Sequence, residues 1–506
     1  IFGSSRALAV GPTAIIAMMT LEAASSYAIP GTVDYTETVV QLCVVTGIVL
    51  IVLRVVNFGA VISFLSHAVV TGFITAAAIL IISNQLPLMI GLASSPDTSI
   101  VGVYRYLFEE TSQFNQVVVI VSLVAVAILV FCKTYLGSLL KRTGLADEVI
   151  DSLVKSAPMY AVVIGVVSVR LFSLDTTFGV PVVGNIPTVL PDINIVLMSL
   201  ERFQALLPSS LLISMVIFME STSIGTAIAS KAREKINPNQ ELVGLGVANL
   251  GSSLVGGFPV AGSFARSIVN FSSGSVSPVA SLVTAFLVMM TILLFATLFF
   301  HLPKGVLSAI IVISAWQLID FQAVRKIFSF NGTDAVTFVF TFLAVLSLGV
   351  ESGVLIGIAI SFVLLIRSSS KPRIAVVGRV GDSEHFRNVE RYDVRTSPKL
   401  LALRVDESLY FVNTRFIETF ILNDVADRRE VEHVLLICTS INFIDTSGLE
   451  MLEELSENLS EVGVTLHMAE VKGPVMDKLK ETGFYRNMNG QIFFTTDIAM
   501  KELAGI

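Results

Sequence analysis

The sequence predicts an α-helical polytopic membrane protein followed by a small cytoplasmic α/β domain. The chain has 506 residues, of which 54% are hydrophobic and only 14% charged, and its mean hydropathy is +0.80. Soluble proteins carry about 25% charged residues, so this little charge cannot cover a water-exposed surface. The charge is also uneven, because residues 371–506 hold 38 of the 73 charged side chains. Strands alternate with helices only in that last part.

Twelve apolar stretches lie in residues 1–368, which we predict to be a transmembrane domain. A bilayer core of about 30 Å needs roughly 20 apolar residues per helix. The stretches are 12–30, 36–53, 68–90, 115–132, 157–173, 206–230, 242–257, 263–272, 276–300, 303–319, 333–350 and 352–367. The stretch 263–272 is too short to span and is flanked by glycine, proline and serine. It predicts a broken helix, which is tolerated at membrane depth only where it lines a cavity.

Basic residues in short loops predict the orientation. One basic cluster lies at 133–142 and another at 231–235, with two predicted spans between them. Both clusters therefore face the cytoplasm, and the basic residues after the last span fall on the same side. The charged C-terminal part is predicted to be cytoplasmic.

Residues 369–398 are polar and are predicted to be a linker with one strand. Residues 399–506 show strands alternating with helices, which is typical of a small α/β domain. The predicted strands are 400–405, 409–412, 431–438 and 465–469, and the predicted helices are 414–427 and 447–461. The two parts of the chain have net charges of −1 and −6, so neither has the basic surface of a nucleic-acid-binding protein.

Glu220 follows a run of mainly apolar residues within a predicted span. An unpaired, charged carboxylate is costly there. One interpretation is a titratable group that faces a water-filled cavity and carries a proton or pairs with a cation. The alternative is a structural hydrogen bond to Ser221, Thr222 or a backbone N–H. We favour the functional interpretation, because ionisable groups inside a membrane are functional by default.

Arg266 lies in the first turn of the broken helix predicted at 263–272. Free N–H groups and the macrodipole attract anions to a helix start, and a guanidinium adds a full charge and a fork that suits oxyanions. Ser263 is a candidate cap that faces the same cavity. The alternative is that Arg266 neutralises Glu220, and the two interpretations are compatible.

The run Val10-Gly-Pro-Thr13 opens the first predicted span. Pro12 suits the first helical position, and Gly11 lets a ligand approach the backbone. Inverted-repeat transporters point the N-termini of two half-helices at one substrate. This start is therefore a candidate counterpart of the broken helix, and two facing positive helix ends favour an anion.

Two further features limit the chemistry. In the run Phe443–Leu449, Ser447 is predicted to cap a helix, and the alternative is that it accepts phosphate. The three cysteines lie far apart without CxxC spacing, so no disulfide framework or metal site is predicted. The sequence has no Ser/His/Asp set, metal-ligand cluster or phosphate loop, and it therefore predicts neither an enzyme nor a cofactor.

Three runs closely resemble the sulfate permease family (SulP, solute carrier 26). They are residues 219–225, 237–250 and 262–270. Residues 6–12 resemble the start of that family's third transmembrane helix, and the Asp-Thr-Ser-Gly turn at 445–448 resembles its C-terminal STAS domain, which is related to anti-sigma factor antagonists. The resemblance covers essentially the whole chain.

The resemblance implies a seven-plus-seven inverted repeat with core and gate domains, a STAS domain at 399–506 and homodimers. Because the chain starts at Ile1, we expect that the first two helices are missing and that the fragment does not transport as it stands. The implied anion-binding residues are Gly11, Pro12, Thr13, Ser263, Phe264, Ala265 and Arg266. Glu220 is the implied proton-coupling residue. Ser447 matches the serine that is phosphorylated in the anti-sigma antagonists, which makes it a candidate regulatory site.

The sequence favours a secondary active transporter that takes up sulfate with protons, by alternating access, across the inner (plasma) membrane of a bacterial cell. The expected partners are a small inorganic anion, protons, the lipid bilayer and a second copy of the chain. The alternatives are a bicarbonate or dicarboxylate transporter or anion exchanger, and an anion-sensing receptor that signals through the STAS domain. Sodium-coupled members carry a threonine four residues after the coupling acid, and Ile224 at that offset argues against sodium.

Overall fold

The structure, a computed structural model, describes residues 2–58, 66–95, 99–185, 193, 198–272, 274–275 and 277–506. The chain divides into two compact units, Ile1–Ser361 and Phe362–Ile506. The first unit is helical, and the second contains a mixed β-sheet with helices.

The first unit contains seventeen helices in its described part and one short pair of strands. The strands are β1 (Val10–Gly11) and β2 (Ala261–Gly262). The helices are α1 (Ala14–Ser25), α2 (Val33–Val55), α3 (His67–Met89), α4 (Ile100–Glu109), α5 (Gln116–Phe131), α6 (Gly137–Leu140), α7 (Asp147–Lys155), α8 (Ala157–Phe172), α9 (Leu174–Thr177), α10 (Leu200–Ala232), α11 (Pro238–Leu254), α12 (Phe264–Ser272), α13 (Val279–Phe295), α14 (Lys304–Trp316), α15 (Phe321–Phe330), α16 (Gly332–Leu348) and α17 (Val350–Ser370).

Every predicted span coincides with one of these helices, and 263–272 is the nine-residue helix α12. Seven helical segments of the described chain are long and apolar enough to cross a bilayer, and a pair bent by 51° around Ser156 makes an eighth. The helices α4, α7 and α15 were not predicted. Each has a single apolar face, so its mean hydropathy stays below that of a span.

The core of the first unit surrounds α10, which packs against α1 and α2. Ser214 is fully buried on α10 and donates its hydroxyl to the carbonyls of Ser210, 2.7 Å away, and Thr46, 3.2 Å away. On the other face of α2, Gly47 meets Gly246 of α11, where a Cβ on either glycine would lie 3.0 Å from the other's carbonyl oxygen. Small residues of this kind let membrane helices approach closely. These contacts fix α10 and α11 as a rigid support.

The second unit is built on a six-stranded sheet in the order β4-β3-β5-β6-β7-β8. The strands are β3 (Ile374–Arg379), β4 (Phe386–Asn388), β5 (Leu400–Val405), β6 (His433–Ile437), β7 (Thr465–Ala469) and β8 (Ile492–Phe493). The helices are α18 (Thr414–Asp427), α19 (Thr446–Glu461), α20 (Gly473–Lys480), α21 (Phe484–Asn487) and α22 (Thr496–Ala504). Strands β5 to β8 are parallel and buried on both faces, which explains the continuous apolar run of β6.

Two expectations for this unit differ from the structure. The segment 369–398, predicted as a linker with one strand, holds both β3 and β4, which pair antiparallel with each other. The predicted strand at 409–412 is wrong, since Leu409 makes only an isolated bridge to Ile444. Leu409 is buried in the core without joining the sheet and Phe411 is exposed, because the chain there already turns into α18.

Helix α19 begins at Thr446 and is capped by Asp445. One carboxylate oxygen of Asp445 accepts the N–H of Gly448 at 2.8 Å, and the other accepts the N–H of Phe411 at 2.9 Å. The prediction that Ser447 caps this helix is therefore wrong, because Ser447 lies at the second helical position. A Cβ on Gly448 would stand 2.7 Å from the Leu409 carbonyl oxygen, which explains the glycine.

We expect Asp445→Ala to lower the free energy of unfolding of this unit by about 1–2 kcal/mol, since it removes a cap and a second hydrogen bond. Urea denaturation of residues 371–506, which have their own apolar core, measures the change. Asp445→Asn retains an acceptor oxygen and is the matched control. Equal stability of the alanine variant and the parent would contradict the capping role.

Candidate anion-binding site

Strands β1 and β2 bring together the starts of two helices that lie about 250 residues apart in the sequence. They pair antiparallel, with Val10 opposite Gly262 and Gly11 opposite Ala261. Helix α1 follows β1 directly, and α12 follows β2. The two N-termini therefore meet at one place, as the sequence analysis expected, and each contributes free N–H groups and a positive helix end.

Helix α12 also holds the segment before α1 with its own side chains. Ser267 accepts the N–H of Ala9 at 2.9 Å, and Asn270 donates to the carbonyl of Ala7 at 3.1 Å. The N–H of Ser263 donates to the carbonyl of Ala9 at 3.0 Å. These bonds make β1, β2 and α12 one hydrogen-bonded body.

Two buried side chains hold β2 against the helices behind it. Ser221 of α10 accepts the N–H of Gly262 at 2.8 Å. Asn249 of α11 is fully buried and pairs with both backbone groups of Val260, accepting at 2.9 Å and donating at 3.1 Å. The Asn249 side chain thus makes the two hydrogen bonds with Val260 that the backbone of a neighbouring strand would otherwise make, just before β2 begins.

The guanidinium of Arg266 lies directly against the backbone of Gly11. A Cβ on Gly11 would stand 3.0 Å from Nη2 and 3.4 Å from Cζ of Arg266. Glycine is thus the residue that leaves room for the guanidinium at the start of α1. Arg266 is solvent-exposed and forms no direct ion pair with the described residues, although it lies within electrostatic range of Glu220. A charged donor is therefore available where the two helix starts meet.

The carboxyl of Glu220 faces the same junction from α10. The Thr13 side chain and the Arg266 guanidinium are the polar groups that lie near enough to stabilise its charged form. Its Oε2 is buried, and neither it nor the buried Thr13 Oγ1 finds a hydrogen-bond partner among the described residues. The alternative of a structural bond to Ser221 or Thr222 finds no support here: the described chain has no hydrogen bond between Ser221 and Glu220, and the Thr222 hydroxyl has no partner in it.

The structure brings Gly11, Thr13, Ser263, Arg266 and Glu220 to one junction. Pro12 precedes the cap residue Thr13, so the expectation that it occupies the first helical position is wrong. The backbones of Phe264 and Ala265 open α12, but their side chains lie outside the described part of the chain. Ser447 belongs to the other unit.

Sequence reasoning missed the positioning residues Ser221, Asn249 and Ser267. All three are fully buried. The asparagine within the apolar run 242–250 was the available signal, because a buried amide must find partners. Its partner, the backbone at 260, could not be deduced, since it depends on how the chain folds back.

The junction has the chemistry of an oxyanion site. Two positive helix ends, the Arg266 guanidinium and the hydroxyls of Thr13 and Ser263 meet there, and Glu220 is the only acid that the described residues place beside them. Protonation of that carboxyl changes the local charge by one unit, so the affinity for an anion and the binding of a proton are linked.

Comparison with known proteins shows to which family and domain models the chain is similar. The model of the sulfate permease family matches residues 1–341, and that of the STAS domain matches residues 391–499. Similar relatives include the probable sulfate transporter 4.2 of Arabidopsis thaliana, 29% identical over 98% of this chain and 73% of its own length. The high affinity sulfate transporter 2 of Stylosanthes hamata is 28% identical over 94% of this chain and 73% of its own length.

Two kinds of solved structure share the fold. The murine Solute Carrier 26 family member A9 anion transporter, in the inward-facing state, has a TM-score of 0.86 at 19% identity, covering 99% of this chain and 84% of that chain. The transmembrane domain of the cyanobacterium bicarbonate transporter BicA has a TM-score of 0.58 at 20% identity, covering 71% of this chain and 85% of that chain. The resemblance seen in the sequence is confirmed: this chain belongs to the sulfate permease family, a family of membrane transporters and not of enzymes, and it carries a C-terminal STAS domain.

Proposed function

We propose that this protein is a secondary active transporter that takes up sulfate together with protons. The observation that carries the proposal is the Arg266 guanidinium lying against Gly11, where two helix starts meet beside the Glu220 carboxyl. The curated relatives named above are sulfate transporters, which supports a tetrahedral oxyanion as the cargo.

Proton coupling follows from the position of Glu220. While ionised, its carboxylate repels an anion at the junction and offsets the charge of Arg266. Protonation removes that repulsion, so a proton and the anion stabilise each other's binding. Because such coupling is reciprocal, the anion also raises the proton affinity of Glu220. We propose that the body joined by the hydrogen bonds around β1 and β2, which includes α1, α10, α11, α12 and the β1–β2 pair, then moves past the gate domain in alternating access.

Sodium is the alternative coupling ion, and bicarbonate or a dicarboxylate is the alternative cargo. Ile224, one turn after Glu220, packs with Ala7 and Ile228 in a small apolar cluster and offers no oxygen ligand. This favours protons over sodium. A bicarbonate or dicarboxylate carrier remains the second candidate for the cargo, and competition between labelled sulfate and these anions distinguishes the two.

We further propose that the protein acts as a homodimer in the inner (plasma) membrane, with the STAS domain in the cytoplasm. The basic clusters at 133–142 and 231–235 support this orientation. Phosphorylation of Ser447 would add charge near the start of α19, where the helix dipole favours it.

The decisive experiment is sulfate uptake by the full-length protein in proteoliposomes at several external pH values. We expect the parent to show uptake that increases as the external pH falls. Glu220→Gln fixes the site in a neutral, proton-like state, so uptake should lose its pH dependence and its response to an imposed proton gradient. Glu201→Gln, an exposed substitution on the same helix, is the matched control and should keep the parental profile.

A Glu220→Gln variant with the full parental pH profile would reject the proton-coupling role. Anion binding without net flux in the parent would instead favour the receptor alternative. Uptake that a sodium gradient drives equally well would overturn the choice of coupling ion.

A further inference from the structure

Glu241 is a buried carboxylate outside the proposed site. It lies in the first turn of α11, and only 3% of its surface is exposed. Burial of a charged group is costly unless hydrogen bonds compensate it. Its partners are backbone and hydroxyl groups from the segment that precedes α1, more than 230 residues earlier in the chain.

A single oxygen of Glu241 accepts three hydrogen bonds from this segment. Oε1 accepts the N–H of Ser4 at 2.6 Å, the N–H of Ser5 at 2.8 Å and the hydroxyl of Ser4 at 2.7 Å. The Ser4 hydroxyl in turn accepts the N–H of Asn237 at 3.0 Å. Charge-assisted bonds of this kind are stronger than neutral ones, so the carboxylate fixes the position of these two residues.

Close backbone contacts at two glycines reinforce the anchor. A Cβ on Gly244 would lie 2.8 Å from the nitrogen and 2.9 Å from the Cα of Gly3, and one on Gly3 would lie 3.2 Å from Oε2 of Glu241. The segment therefore crosses α11 at backbone contact distance, directly beside the carboxylate.

The anchored residues lead straight into the proposed site. From Ser5 the chain passes Ala7, which packs against α10, and Ala9, which bonds to α12, before it reaches Gly11 under the Arg266 guanidinium. The β1–β2 pairing holds the register at Gly11 locally, where a Cβ would stand 3.0 Å from the Arg266 guanidinium. The anchor at Ser4 and Ser5 adds a second fixed point upstream of it.

We propose that Glu241 is a positioning residue for anion transport: by anchoring residues 3–5 to the start of α11, it steadies the segment that places Gly11 against Arg266. The inference rests on the proposed function, since it assigns Glu241 an effect on the anion site. It does not make Glu241 a ligand of the anion.

Sulfate uptake by the full-length protein tests the positioning role. We expect Glu241→Ala to raise the KM for sulfate about tenfold, the size expected for loss of a charge-assisted hydrogen bond, with a smaller change in maximal rate. Glu241→Gln keeps an acceptor oxygen and should stay within about threefold of the parent. The matched control is Glu234→Ala, which breaks only the exposed ion pair with Arg6 in the same region and should leave KM unchanged.

A second variant approaches the same bonds from the other partner. Ser5→Pro removes the N–H that donates to Glu241 while leaving the carboxylate in place. If the two groups act through one anchor, the double variant Glu241→Ala/Ser5→Pro should raise KM no more than the stronger single variant. Fully additive effects would contradict a shared anchor.

Hydrogen exchange gives a readout that does not depend on transport. In Glu241→Ala we expect the amides of residues 4–11, including those of β1, to exchange at least tenfold faster, while those of α5 and α8 keep their rates. Unchanged exchange at 4–11, or an unchanged KM in a transporting parent, would overturn the positioning role. A parent that takes up no sulfate but shows the faster exchange in Glu241→Ala would reject the proposed function and leave the anchor itself established.

Discussion

Replacement of Arg266 by alanine is expected to raise the KM for sulfate about 100-fold in the full-length protein, a loss typical of truncating one partner of a hydrogen-bonded charge pair. The guanidinium is the only basic side chain that the described residues bring to the junction of α1 and α12. Without it the two helix ends remain, and each contributes far less than a full charge. The Glu220 carboxylate would then face the anion without an opposing cation.

Initial rates of sulfate uptake, measured with and without competing anions, give the KM of each variant. Arg266→Lys retains the charge but loses the planar fork, so it should fall between the parent and alanine. Arg6→Ala removes an exposed arginine that pairs with Glu234 and is the matched control. An Arg266→Ala protein with parental KM would show that Arg266 does not bind the anion.

The STAS unit is expected to lose stability as the pH falls from about 6.5 to 4, because of His467. Burial, and then the neighbouring His433, lower the pKa of His467 to about 4 in the folded unit. His467 Nδ1 accepts the N–H of Gln491 at 3.1 Å, and its Nε2 lies 3.3 Å from Nδ1 of His433. Since Nδ1 is an acceptor, Nε2 carries the proton and donates to His433. A second proton on His467 would abolish the bond to Gln491.

The direction in which stability changes with pH follows from the pKa of His467 in the folded and the unfolded chain. The unfolded chain has the ordinary histidine pKa of about 6.5 and binds a proton first, so acid favours the unfolded state. The stabilisation is complete above pH 6.5 and is lost as the pH falls to 4, which amounts to roughly 3 kcal/mol.

Urea denaturation of residues 371–506 at pH 7, 5.5 and 4 measures this loss. His467→Asn keeps an acceptor near the Nδ1 position but does not titrate, so its stability should fall less across this range. His385→Asn replaces an exposed histidine of the same unit and should behave like the parent. Parallel pH profiles for the parent and His467→Asn would contradict the prediction.

The spans and the broken helix could be predicted because hydropathy and glycine-proline punctuation are local signals. The glycine, proline and serine residues that flank 263–272 predicted the short helix α12. The run at 10–13 also opens a helix, and this similarity predicted that the starts of α1 and α12 meet. The amphipathic helices α4 and α15 were missed because half of their residues are polar. Local sequence patterns also predicted elements of the second unit, including strand β7 (Thr465–Ala469) and helix α18 (Thr414–Asp427).

The supporting contacts could not be predicted, because they join residues far apart in the chain. Nothing in the sequence pairs Asn249 with the backbone at 260, or Glu241 with Ser4, before the fold brings them together. Capping at 445–448 was ambiguous for a different reason. Aspartate and serine both cap helices, and only the fold, in which Asp445 accepts the N–H groups of Gly448 and Phe411, shows that Asp445 is the cap.

The β1–β2 pair has a consequence for how such transporters diversify. Its bonds run between main-chain groups, so they do not depend on which side chain stands at the exposed Val10. Under the proposed function, the bonds that join the two helix starts are therefore separate from the side chains that select the cargo. Residues that open α12 can then be changed to accept another anion while the β1–β2 bonds stay in place.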